Sequence, residues 1–254
     1  MYAHHRQTIE NLQACYEQDP GYLALIVIGS VGRGEARPES DLDFYLVVPQ
    51  AVYEERQARN ATSLHANEHS VLPCTEANGY LTSVTAMQAL RDRGNEIERW
   101  IFIQPLVVFA RDPAIYKLVS DIPSYPEQGR IRRMESFHSQ MYYHISFFEF
   151  AYYSQIKYLV YETAVKLILS IGRLILADNR ILYPNRKWFF RELMKAPDQP
   201  AGLCDAMEAF LDAPTIAAGH QLIEMVDGYK AYPLPPEGVK ARIDQQPILN
   251  LEAW

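Results

Sequence analysis

The sequence predicts a two-part α/β chain, in which a small mixed-sheet α/β domain is followed by an all-helical bundle domain. Three observations carry this. Short β-branched and aromatic-rich runs alternate with helical stretches over the first 110 residues. The segment "SDIPSYPEQG" at 120–129, with two prolines and a glycine, reads as a linker. From residue 130 to 178 there is no proline and one glycine, Gly172, while apolar residues recur at helical spacing. The domains are expected to span 1–125 and 126–254.

In chain order, residues 5–18 read as a helix ended by "DPG". "LALIVI" (23–28) reads as a buried strand, and "GSVGRG" as the turn that follows it. Pro38 makes 34–40 a loop, and "LDFYLVV" (42–48) is a second strand stopped by Pro49. A short helix is expected at 51–60, and 61–78 carries no readable pattern. "GYLTSV" (79–84) reads as a third strand, and Thr85 as the cap of a helix at 86–100 with Gly94 as its weak point. "PLVVFA" (105–110) is the fourth strand. Beyond the linker, Ile145, Phe148, Tyr152, Leu159, Ala164, Leu167, Ile171 and Leu174 mark a pair of long helices. Further helices are expected at 183–196, 201–211 and 214–232, before a proline-rich tail ending in "ILNLEAW".

Composition bounds the function. The chain has 254 residues and a net charge of −7, from 31 acidic and 24 basic residues. That argues against general nucleic-acid binding, which wants a basic footprint. Cys15, Cys74 and Cys204 are scattered, without CxxC spacing or a histidine at ligand distance. They read as free thiols in a reducing compartment rather than as a zinc site. No apolar core of a leader is visible, and no stretch approaches the ~20 apolar residues of a membrane span. The expectation is a cytoplasmic protein with no membrane partner.

The chemistry concentrates in "VIGSVGRGEARPESDLDFYLVV" (27–48). A strand that ends in Gly29-Ser30 and turns at once lets backbone N–H groups approach an anion. Ser30 can donate to a phosphate oxygen and Arg33 can add charge. Asp41 and Asp43 are i and i+2 on a strand, so they point to one face. Paired carboxylates repel unless a cation lies between them, and this oxygen-rich pair suits Mg²⁺. A phosphate cradle beside a magnesium pair is equipment for phosphoryl or nucleotidyl transfer.

The motif resembles the signature of the polymerase-β-like nucleotidyltransferase superfamily: a Gly-Ser turn, about ten residues, then Asp-x-Asp entering a strand. Gly29, Ser30, Asp41 and Asp43 are the matching positions. The resemblance implies that Gly29 and Ser30 hold the triphosphate and that Asp41 and Asp43 bind the metal; Arg33 and Ser40, beside the turn, are further phosphate-binding candidates. The two-part layout is similar to the antibiotic-modifying members of the aminoglycoside and lincosamide type. There the helical half covers the site and supplies acceptor-binding residues. The implied reaction moves a nucleoside monophosphate from Mg–NTP, ATP first, to a small-molecule hydroxyl.

One part of the superfamily pattern is missing. Its third carboxylate belongs on a later strand, and "GYLTSV" has no acid; the nearest is Glu76 in "TEANGY". Glu149 in "FFEFAYY" and Glu162 in "VYETAVK" are candidate bases, since an apolar setting raises a carboxyl's pKa. Lys166 can pair with Glu162 at i, i+4 or reach phosphate. Lys187 in "NRKWFFREL" is the other candidate cation for phosphate. A different reading makes the chain a decayed nucleotide-binding module, antitoxin-like, with a protein partner. Nucleotidylation of RNA or protein is a third; a homodimer is compatible with all three.

Overall fold

The computed structural model describes residues 1–74, 76–235 and 238; the "ILNLEAW" tail lies outside the described residues. The chain divides into two compact units, Met1–Ser124 and Tyr125–Trp254. The architecture is mixed α/β in the first unit and helical in the second.

The first unit begins with helix α1 (Ala3–Tyr16), strand β1 (Ala24–Ile28) and the single turn α2 (Gly29–Gly32). Strand β2 (Leu42–Val47), helix α3 (Gln50–Ala58) and strands β3 (Ser63–His65) and β4 (Ala77–Thr82) follow. Helices α4 (Val84–Arg93) and α5 (Glu96–Ile101), strand β5 (Leu106–Ala110) and helix α6 (Ala114–Asp121) complete it. The strands form one sheet in the order β3-β4-β2-β1-β5. β2 and β4 are parallel and the other neighbours antiparallel, so the sheet is mixed.

Alternation along the strands builds two cores. Leu25, Val27, Leu42, Phe44, Leu46 and Ala77 pack on one face with Ile9 and Leu12 of α1. Ala24, Ile26, Ile28 and Val47 pack on the other with Met87, Phe102, Ile115 and Leu118. β1 is buried at every position because the sheet is covered on both faces.

Four expectations are corrected here. A fifth strand, β3, lies within the stretch that showed no pattern; three residues are too few to display alternation. β4 starts at Ala77 rather than Gly79, because its parallel register begins with Leu42 opposite Ala77. Ser83, not Thr85, caps α4: its Oγ accepts from the Ala86 N–H at 3.1 Å. The helix foreseen at 86–100 is two, since Gly94 ends α4 and Asn95 opens α5 with a reciprocal capping box to Glu98.

In the second unit, α7 (Arg130–Tyr153) and α8 (Lys157–Asp178) pack along their lengths. Helices α9 (Phe189–Leu193), α10 (Leu203–Asp212) and α11 (Ile216–Tyr229) complete the bundle. Phe148 of α7 meets Phe210 of α10 edge to face at 5.1 Å, both fully buried. Each such ring contributes about 1.5–3 kcal/mol by leaving water. The helix expected at 183–196 is corrected to a 3-10 turn, Arg186–Trp188, followed by the five-residue α9. Asn185 starts that turn by accepting from the Lys187 N–H at 3.2 Å, which leaves Tyr183 and Pro184 outside it.

Candidate active site

The sheet brings the glycine turn and the aspartate strand together. Ile28, the last residue of β1, stands opposite Asp43 in the antiparallel β1–β2 register. Gly29 therefore begins its turn directly beside the Asp43 carboxylate. Its φ is +68°, in the left-handed region. A Cβ at Gly29 would stand 3.0 Å from Asp43 Oδ2. Glycine is favoured there for backbone conformation and for space together. Gly32 is tightly packed for another reason: its missing Cβ would sit 2.6 Å from the Val27 carbonyl oxygen. It lets the turn fold back onto β1.

The turn closes on itself. Arg33 N–H donates to the Gly29 carbonyl at 3.1 Å and Glu35 N–H to that of Ser30 at 2.8 Å. The Arg33 side chain is nearly buried and donates from Nε to Glu35 Oε2 at 2.9 Å. Its guanidinium also lies 4.4 Å above the Trp100 ring. These contacts brace the loop, a task the sequence reading did not assign to Arg33. Ser40 Oγ accepts from the Arg37 N–H at 2.9 Å, so it too is used within the loop.

Helix α1 fixes the approach to Asp41. His4 Nε2 donates to the Pro38 carbonyl at 2.8 Å and His5 Nε2 to the Ser40 carbonyl at 3.0 Å. His5 is fully buried, and burial pushes its imidazole below the usual range. It is a positioning residue that the sequence reading missed, since a histidine on an N-terminal helix gives no local signal of what it will meet.

Asp43 lies on the face of β2 opposite the Leu42–Phe44 core, and Asp41 is the residue just before the strand. Tyr80 of β4 senses both: burial first, then the charges of Asp43 and Asp41, raise its phenol pKa. Tyr45, two residues beyond Asp43, is pushed up to about 12, chiefly by burial. Asn78 stands opposite Asp43 in the parallel register, and Glu76 is two residues before Asn78 on the same face. Glu76 is thus one strand away from Asp41, and it accepts from Asn78 Nδ2 at 3.5 Å. Among the described residues, however, no group of three His, Cys, Asp or Glu side chains gathers closely enough to hold a metal by itself.

Two carboxylates beside a glycine turn do fit Mg²⁺ that arrives with a triphosphate, because the nucleotide supplies further oxygens. Asp41 and Asp43 would hold it, and the absence of a side chain at Gly29 lets the turn pack directly against the Asp43 carboxylate.

The candidates of the second unit have their own partners. Glu149 Oε1 pairs with His220 Nε2 of α11 at 2.5 Å. Lys166 pairs with Glu162 at 2.6 Å, the i, i+4 arrangement. Lys187 lies in the 3-10 turn with its ammonium 5.2 Å from the Trp188 ring.

Residues 2–83 match the model of the family described as "Putative nucleotidyltransferase DUF294". The likeness is to a nucleotidyltransferase. It runs from α1 through β4 and so takes in Gly29, Ser30, Arg33, Ser40, Asp41, Asp43 and Glu76. A solved structure of a nucleotidyltransferase-like protein from Exiguobacterium sibiricum is similar with a TM-score of 0.49 at 9% identity. That match covers 89% of this chain and 74% of the other. No curated protein matches the sequence. No helix among the described residues is long and apolar enough to cross a membrane.

Proposed function

We propose that the chain transfers a nucleoside monophosphate from Mg–NTP, with ATP as the first nucleotide to test, to a hydroxyl of a small molecule. The observation that carries the reading is the apposition of Gly29 and Asp43, which sets the turn directly against the carboxylate. The nucleotidyltransferase likeness over residues 2–83 supports it. In this reading Asp41 and Asp43 hold the metal, and the Gly29-Ser30 turn orients the triphosphate. Arg33, Glu35 and Trp100 keep that turn in shape. Bound Mg²⁺ supplies positive charge against the phosphate oxygens.

A chain of net charge −7 suits neutral or cationic acceptors. Aminoglycosides and lincosamides are the acceptors to screen first, on the two-part layout. The lack of a three-ligand cluster among the described residues favours a second reading, a nucleotide-binding module without turnover.

Calorimetric titration of ATP, GTP, CTP and UTP with and without Mg²⁺ tests the site. Binding is expected to require Mg²⁺ and to weaken at least about tenfold in Asp43→Asn, a loss of about 1.4 kcal/mol. Equal binding by wild type and variant would sink the site assignment. Binding without formation of AMP–acceptor adduct across the screen, followed by mass spectrometry, would favour the second reading.

A further inference from the structure

A hydroxyl acceptor must lose a proton, and neither Asp41 nor Asp43 is available for that if both hold metal. The carboxylate face of the sheet carries another group. His65 of β3 stands opposite Asn78 of β4, Asn78 opposite Asp43 of β2, and Asp43 opposite Ile28 of β1. These residues form one row across four strands. Leu64 turns to the apolar core, so His65 takes the opposite face, the one that bears Asp43. With strands about 4.8 Å apart, the His65 backbone is roughly 10 Å from that of Asp43, room for an acceptor hydroxyl and a phosphate.

We propose that His65 is the general base of this site, set in its reactive tautomer by Asn78, which Glu76 orients in turn. The proposal rests on the nucleotidyl-transfer reading above. Its support is the direction of each hydrogen bond. The Glu76 carboxylate only accepts, so it draws the amide Nδ2 of Asn78 toward itself, at 3.5 Å. That turns Asn78 Oδ1 to His65 Nδ1, at 3.0 Å. An amide oxygen cannot donate, so Nδ1 carries the ring proton, and in the neutral imidazole Nε2 keeps its lone pair. His65 is exposed, so Nε2 can meet an acceptor and later release a proton to water.

In the step proposed, Nε2 takes the proton of the acceptor hydroxyl as that oxygen bonds to the α-phosphorus. The bond between the α-phosphorus and the bridging oxygen breaks, and pyrophosphate leaves with the electron pair. The imidazolium then returns its proton to solvent. Glu76, the candidate third carboxylate, acts here as a positioning residue through Asn78.

Long-range ¹H–¹⁵N spectra of the histidine rings and turnover of Mg–ATP with glycerol as the probe alcohol test the proposal together. Wild-type His65 is expected as the Nδ1–H tautomer, and Asn78→Ala is expected to move it toward Nε2–H. His65→Gln is expected to lower AMP transfer to glycerol about 10²–10⁴-fold while Mg–ATP affinity stays within about twofold. An Nε2–H ring in the wild type, or one unmoved by Asn78→Ala, overturns the proposal even where Mg–ATP binds. So does His65→Gln that turns over like wild type, or that loses Mg–ATP binding as Asp43→Asn does. A wild type that binds no Mg–ATP, or binds it and forms no AMP–glycerol ester, overturns the transfer reading itself and the base with it.

Discussion

At the scale of single residues the proposed site depends on what is missing at position 29. The left-handed φ and the 3.0 Å approach to Asp43 Oδ2 both disfavour a side chain. Gly29→Ala is expected to cost about 1–2 kcal/mol of unfolding free energy and to weaken Mg–ATP binding as well. Gly34 separates the two effects. It has φ +75° and nothing within 4 Å of where a methyl would stand, so Gly34→Ala should cost similar stability and leave Mg–ATP affinity unchanged. Urea unfolding and calorimetry of both variants check this; equal nucleotide affinity in the two would mean the Gly29–Asp43 contact does not matter to binding. Asp41 and Asp43 were legible from sequence because i, i+2 spacing on a strand is a purely local fact. The partners of Arg33 were not: Glu35 is two residues away, but Trp100 arrives from α5, far along the chain.

At the scale of elements, long periodic segments were readable and short ones were not. α7 and α8 repeat their apolar stripe over many turns, so their positions followed from spacing. β3 has three residues and exists because β4 offers it a paired edge, with Ser63 opposite Tyr80 and His65 opposite Asn78. Packing also sets a pH response. His144 of α7 is buried, and burial, then the nearby Lys166 ammonium, push its imidazole down to about 4. Lys166 is held there by Glu162 of the same helix. The unfolded chain, with an ordinary imidazole near pH 6.5, binds more protons than the folded one between about 6.5 and 4. Stability is therefore full above about pH 6.5 and falls as the pH drops through that window, by on the order of 3 kcal/mol for this group. Urea midpoints of wild type and His144→Gln at pH 7 and pH 4.5 read it. The variant should lose less on acidification, and an identical loss would assign the effect to other groups.

At the scale of the whole molecule, each unit has its own core. Both faces of the sheet are covered by helices of residues 1–124: α1 on one side, and α4 and α6 on the other. A fragment of residues 1–124 is expected to fold cooperatively and to retain Mg–ATP binding through Gly29, Asp41 and Asp43. Amide dispersion in a ¹H–¹⁵N spectrum and a cooperative urea transition check it, and collapsed, random-coil shifts would refute it. The candidate base of the proposed transfer also lies within this unit, at His65.

By itself the sequence determined the α/β-then-helical order, the glycine turn and the carboxylate pair, because each is written in neighbours a few residues apart. Only the tertiary structure decided which strand lies beside which. The β2–β4 parallel pairing, which no local pattern encodes, puts Asn78 next to Asp43 and brings Glu76 and His65 to the same face. The pairing of Glu149 with His220, across two helices, was decided in the same way. Contacts between distant segments depend on how whole apolar faces pack, and no window of sequence holds both partners at once.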